Sequence, residues 1–238
     1  MIGFAIAGEA TRLVVLRHGE TQWNATQRIQ GQIDAPLNER GLWQATRLAQ
    51  ALRAEGLSRI YSSDLQRARC TDEAVAAASG LAPVSLDPAL RERAFGSFEG
   101  LTYAEVEQRW PDEALRWRQR EAGFAPGGGE TLEGFYDRCV PAAAAIAARY
   151  PGETIALVAH GGVLDCLYRA ATGLSLQAPR SWQLGNATIN RLLWHGEGFV
   201  LVGWNDDGHL QDAPQEAPQN VPQSAPPGAA ARGGADTR

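Results

Sequence analysis

Two apolar runs stand out along the chain because no polar position interrupts them: Leu13-Val14-Val15-Leu16 and Ile155-Ala156-Leu157-Val158-Ala159. Short continuous aliphatic runs predict strands buried on both faces, as the parallel strands of an α/β sheet are. Both runs end in a histidine and glycine, as Arg17-His18-Gly19 and as His160-Gly161-Gly162. Other segments repeat at helical spacing. Leu42, Ala45, Leu48, Ala49 and Leu52 recur between Glu39 and Glu55, with Gly56 as the stop. Leu65, Ala68 and Ala74 follow Ser63 or Asp64 as the cap. Leu132, Phe135, Cys139 and Ile146 follow the flexible turn and capping signal Pro126–Thr131, and Val163, Leu164, Leu167 and Ala171 share a side after the second histidine. Arg59–Ser62 and Pro83–Leu86 predict shorter strands, and Asn190–Trp194 with Phe199–Trp204 a closing hairpin. Thr102–Glu121 predicts a helical excursion bearing Trp110 and Trp117 over one face of the sheet, in the manner of a lid.

Composition sets the boundaries. From Gln211 onward the chain is Ala, Pro, Gln and Gly with Val221 as its single larger aliphatic, which predicts a disordered tail over 211–238. Residues 1–11 are an extension, and 12–210 suffice for one well-buried domain. A net charge of −5 argues against nucleic-acid binding, and no basic cluster suits an anionic membrane. All 22 basic residues are arginine, which excludes a Schiff-base enzyme and a P-loop NTPase, since both need lysine. Cys70, Cys139 and Cys166 are odd in number and widely spaced, as reduced thiols are. With no signal peptide and no apolar stretch of about 20 residues, a cytoplasmic protein is expected.

Candidate chemistry collects at the strand ends, where ligands bind in open α/β sheets. Arg17 offers a planar fork of donors for phosphate or carboxylate, His18 a base, ligand or nucleophile, and Gly19 a close backbone approach to an anion. The loop from Glu20 to Asn38 is long for a connection, and its Asn24 and Gln30 either reach a phosphate or serve as turn residues. Arg67 falls in the first turn of a helix, where anions bind, or is a surface arginine in an ion pair. Glu92 and Glu99 lie among glycine and aromatic residues, a setting that raises a carboxyl pKa and suits a proton donor; alternatively they pair with nearby arginines. Cys166 sits in an apolar helix with no evident activating neighbour, and His195 and His209 carry little weight.

LRHGET (16–21), WN (23–24), QG-x-x-D-x-PL (30–37), YSSDLQRA (61–68), LRE with a following G-x-F-E-G (90–100) and AHGG (159–162) together resemble the histidine phosphatase superfamily, over about residues 12–205. The match is nearest to its branch of cofactor-dependent phosphoglycerate mutases and broad-specificity phosphatases. The resemblance implies a three-layer α/β/α sandwich with a mostly parallel central sheet, plus one antiparallel edge strand from the hairpin. It implies that His18 takes the phosphoryl group and Glu92 protonates the leaving oxygen. Arg17, Arg67 and His160 would hold the phosphate, with Asn24, Gln30 and Gly161 as further contacts. Two arginines and a protonated imidazole would supply the positive charge, and a neutral His18 near its ordinary pKa would attack.

No metal or organic cofactor is expected, save 2,3-bisphosphoglycerate if the protein is a mutase. The partner expected is a small phosphorylated metabolite, with a homodimer open as the assembly. Family mutases carry paired arginines, a lysine and a proline-rich turn after the glutamate motif. Here Arg116–Arg120 and Pro126–Glu130 stand instead, which resembles the phosphatases. A metallohydrolase would need ligand pairs such as H-x-H, and none is present. A non-catalytic phospholigand-binding module would need the arginines but not the acid.

Overall fold

A computed structural model describes residues 9–81 and 83–211. Six strands form one sheet in the order β3-β2-β4-β1-β5-β6. They are β1 (Thr11–Arg17), β2 (Arg59–Ser62), β3 (Ser85–Leu86), β4 (Thr154–Ala159), β5 (Ile189–Trp194) and β6 (Phe199–Asp206). The helices are α1 (Gln22–Ala25), α2 (Glu39–Leu52), α3 (Gln66–Ser79), α4 (Tyr103–Arg109), α5 (Pro111–Arg118), α6 (Leu132–Ala147) and α7 (Gly161–Thr172).

The two uninterrupted runs are the central strands. β1 pairs with β4 in parallel register, Leu13 opposite Ile155 and Arg17 opposite Ala159. Successive side chains leave by opposite faces, and both faces are covered. Leu13, Val15, Ile155 and Leu157 pack with Phe135, Cys139 and Leu164 of α6 and α7. Val14, Leu16, Ala156 and Val158 pack with Leu48, Ala68 and Val75 of α2 and α3. The result is the expected three-layer sandwich.

Four details depart from expectation. The antiparallel strand is β5, which is not the edge; it pairs with β1 on one side and with β6 on the other. β1 begins at Thr11, the last residue of the expected extension. Leu42 points outward on α2 and is exposed, so that helix buries Ala45, Leu48, Ala49 and Leu52 without it. The expected single excursion is two helices, because Pro111 cannot continue α4 and restarts the chain as α5. These two enclose a small core of their own around Phe98, Val106 and Ala114. The expected tail, apart from Gln211, lies outside the described residues. Among the described residues, no helix is long and apolar enough to cross a membrane.

Candidate active site

Three neighbouring strands, β2, β4 and β1, end side by side, and each delivers part of the site. The chain leaving β1 carries Arg17 and His18, with the His18 amide still bonded to Ala159 O at 3.0 Å. The chain leaving β4 carries His160, which starts α7. The His18 and His160 rings are 5.1 Å apart between centroids and tilted by 57°. The chain leaving β2 carries Ser63, whose Oγ lies 2.8 Å from His160 Nε2, and then Arg67 in the first turn of α3.

His18 is buried, and its Nδ1 lies 2.7 Å from the carbonyl oxygen of Gly19. A carbonyl only accepts, so Nδ1 holds the ring proton and Nε2 keeps its lone pair. That is the tautomer a nucleophile needs. Gly19 packs on α2: a Cβ there would lie 2.5 Å from the Gly41 carbonyl oxygen.

Arg67 is buried, with Nη1 donating to Ile33 O at 2.9 Å and Nη2 to Gly31 O at 2.7 Å. It is therefore no surface arginine. Neither Ser63 nor Asp64 caps α3. Ser63 Oγ is held by His160 and the Leu65 amide, and Asp64 pairs with Arg91. The Gln66 amide is capped instead from the long loop, by Asp34 Oδ1 at 2.7 Å. Arg17 donates Nη1 to Leu184 O.

Arg17 Nε, Arg67 Nε and His160 Nδ1 are buried with no hydrogen-bond partner among the described residues. Buried polar groups normally have partners. On residues that neighbour His18, three such atoms leave unspent hydrogen-bonding capacity, suited to the oxygens of a phosphate.

Glu92 lies across the site. Its Oε2 accepts from the Gly162 amide at 3.0 Å and its Oε1 from the Arg93 amide at 2.8 Å. Neither Glu92 nor Glu99 pairs with an arginine side chain among the described residues; Glu99 accepts from the Gln32 and Phe95 amides and so holds the loop. Asn24 and Gln30 do both things expected of them as alternatives. Both line the cleft beside His18, yet the oxygen of each is tied to Thr21. Gly161 lies on the cleft wall, its Cβ position 3.5 Å from Arg17 Nε.

The charge differs from expectation. Burial, then the neighbouring Arg67, pushes both His18 and His160 well below the ordinary imidazole value, with Arg17 and His18 adding to the effect on His160. His18 is neutral as expected, although not because its pKa is ordinary. His160 is neutral where a cation was expected, so the arginines alone carry the positive charge. Burial brings Arg17 down to about 10, and nearby Arg180 and Arg67 push in the same direction against Glu92. Arg17 stays cationic at neutral pH.

Ser63, Gly162 and Phe95 belong to the site and were not read as site residues in the sequence. Gly162 had a signal, the second glycine after His160: a Cβ there would fall 2.1 Å from Glu92 Oε1. The lid expectation finds partial support, since Trp117 of α5 lines the cleft. Pro126–Gly129 is not a free turn, because Gly127 and Gly129 press on the backbone of 94–98. Cys166 keeps its proton, pushed up by its hydrogen bond to Cys139 and by burial. His209 bonds Ala187 O. Among the described residues no three His, Cys, Asp or Glu side chains converge as metal ligands would.

A family model of the histidine phosphatase superfamily (branch 1) matches residues 13–207. The chain is 39% identical over 203 residues to phosphoglycerate mutase-like protein 4 of Arabidopsis thaliana, covering 84% of this chain and 87% of that one. It is 37% identical over 207 residues to the metal-independent phosphoserine phosphatase of the same plant, covering 86% and 85%. Among solved structures, Bacillus stearothermophilus YhfR superposes with a TM-score of 0.79 at 34% identity, covering 85% of this chain and all of that one. A mycobacterial glucosyl-3-phosphoglycerate phosphatase with VO3 superposes at 0.74 and 36% identity, covering 82% and 99%. The chain belongs to the histidine phosphatase superfamily, in its first branch.

Proposed function

We propose that this protein hydrolyses small phosphate monoesters through a phosphohistidine on His18. One observation carries the reading: His18, its Nε2 left free by the Nδ1 contact, lines one cleft with Arg17 and Arg67 and lies beside His160, and Arg17 Nε, Arg67 Nε and His160 Nδ1 are all buried without partners among the described residues. Phosphoryl transfer asks for positioning and charge stabilisation above all. His18 Nε2 attacks phosphorus while the bond to the leaving oxygen breaks, and Glu92 gives that oxygen a proton. Water then attacks the phosphohistidine, Glu92 takes the water's proton, and phosphate leaves. The arginines hold the equatorial oxygens throughout. Glu92 is fixed for both steps by the two amides that it accepts from.

Relatives named as phosphatases support hydrolysis. Relatives named as phosphoglycerate mutases support isomerisation as the second reading, with 2,3-bisphosphoglycerate as its cofactor. The short Pro126–Gly129 turn and the lack of lysine favour hydrolysis. The partner we assign is a small phosphorylated metabolite, such as a sugar phosphate, phosphoglycerate or nucleotide-pathway intermediate. No metal, organic cofactor, nucleic acid or membrane enters the scheme, and a homodimer remains an assembly to test. Free thiols at Cys70, Cys139 and Cys166 support a reducing, cytoplasmic setting.

Enzyme quenched during turnover should carry acid-labile, base-stable phosphate on His18. Protein without that label would overturn the mechanism. Isomerisation of 3-phosphoglycerate outpacing hydrolysis in the presence of bisphosphoglycerate would establish the mutase reading.

A further inference from the structure

Away from the His18 cleft, a groove of about 510 Å³ runs between α3 and the outermost strand β3. It shares no described residue with that cleft, and its volume lies in the range of sites that hold organic ligands. Ala76, Leu81, Val84 and Leu86 give it apolar walls, with Leu86 exposed.

Asp72 of α3 stands in those walls. The residue is only 2% exposed, and its Oδ2 is buried with no hydrogen-bond partner among the described residues. Buried polar oxygens normally have one. Burial raises the Asp72 carboxyl to about 6, and the Ser62 hydroxyl pulls the other way. That hydroxyl has a single proton, which Ser63 O also engages at 2.9 Å.

The remaining ionisable groups beside Asp72 do not neutralise it. Arg69 faces Glu73 at 3.6 Å on the exposed rim, and Glu73 raises the Asp72 carboxyl further. Cys70 keeps its proton, pushed up by burial, then by Glu73 and by Asp72 itself. A carboxyl lining an apolar groove therefore has acceptor capacity and no cation of its own. Carboxyl groups turn broadly about χ2, so either oxygen can be offered to the groove.

We propose that this groove is a second binding site, which takes a primary amine on a short alkyl body, its ammonium paired with Asp72 and its chain laid along Ala76, Val84 and Leu86. A compact ammonium needs one carboxylate oxygen, whereas a guanidinium fork needs both at once. The chain contains no lysine, so no side chain of a second copy offers that ammonium. The proposal does not depend on the phosphatase reading.

Hexylammonium chloride is the probe and hexanol its uncharged match, each titrated into the full-length protein with amide NMR shifts as the readout. At pH 7.5 hexylammonium should saturate shifts around Asp72, Ala76 and Leu86 with a Kd of about 1 mM, as suits so small a ligand. It should bind about tenfold more tightly than hexanol, the worth of one charged hydrogen bond. Asp72→Asn should bring the two ligands level. At pH 5 the native protein should bind hexylammonium about tenfold more weakly, because about one Asp72 in ten is then ionised, and hexanol as before. No saturable shift with hexylammonium, shifts that map elsewhere, equal binding of amine and alcohol, or a preference that survives Asp72→Asn would overturn the proposal.

Discussion

Gly19 and Gly41 meet backbone to backbone. A Cβ on Gly19 would fall 2.5 Å from the Gly41 carbonyl oxygen, and one on Gly41 would fall 2.0 Å from the Glu20 carbonyl oxygen. The Glu20 amide is bonded to Gln44 of α2 at 2.8 Å, and Glu20 O accepts from the Asn38 amide at 3.0 Å. The residues after His18 are thus clamped to α2. Gly41→Ala should force the two segments apart, costing about 1–3 kcal/mol as overpacking does. Thermal melting together with kcat tests this. A stability loss with kcat intact would mean that the clamp does not position His18.

Glu92→Gln keeps the shape of the side chain and removes its proton. Loss of one positioned acid costs about 100- to 10,000-fold in kcat. Measured as kcat/KM, which reports transfer to His18 and not the later hydrolysis that Glu92 also assists, the loss should be much smaller for 4-nitrophenyl phosphate, whose leaving oxygen needs no proton. Gly162→Ala should mimic this selectively, because its Cβ would displace Glu92 Oε1, only 2.1 Å away. Equal losses in kcat/KM on both kinds of ester would remove Glu92 from the acid role.

Arg17→Ala and Arg67→Ala should each lower kcat by about 100-fold or more, the usual worth of one preorganised donor. Arg67→Ala should also destabilise the fold, since the carbonyls of Gly31 and Ile33 lose their donor. Arg67→Lys should rescue little, because an ammonium cannot span both carbonyls and a phosphate. Isothermal phosphate binding and urea midpoints separate the two effects.

Acid should destabilise the protein through its two buried imidazoles. Both pKa values are depressed in the fold from the ordinary 6.5. The unfolded chain takes up those protons as pH falls through about 6.5 and the folded chain does not, so stability is lost. Asp72 acts in the opposite sense, its carboxyl raised to about 6 by burial, so that the fold gains from protonating it as pH falls through that value. With two imidazoles against one carboxyl, the urea midpoint should fall between pH 7.5 and 5.5. His160→Asn should flatten the slope; an unchanged slope in that variant would mean that His160 titrates normally.

The sequence made the strand ends legible because Leu13–Leu16 and Ile155–Ala159 have no polar interruption, so their carboxyl ends could be found by eye. The family resemblance of their motifs carries the roles proposed for His18, Arg67 and Glu92. The capping of α3 was illegible because its acceptor is Asp34, thirty-two positions before Gln66 in the chain. The charge on His160 was misread for a similar reason. Only the fold shows how deeply it is buried and that Arg67 lies beside it.

The placement of β1 between β4 and β5 has a consequence during synthesis. Leu13 finds its partners at Ile155 and Leu192. A nascent chain released as far as Tyr150 already holds Arg17, His18, Arg67 and Glu92. It still lacks the neighbours of β1 on either side, so that strand has two bare edges. The pairing that sets His18 beside His160 therefore forms only once β4 has been made, and the second edge of β1 is covered only once β5 follows.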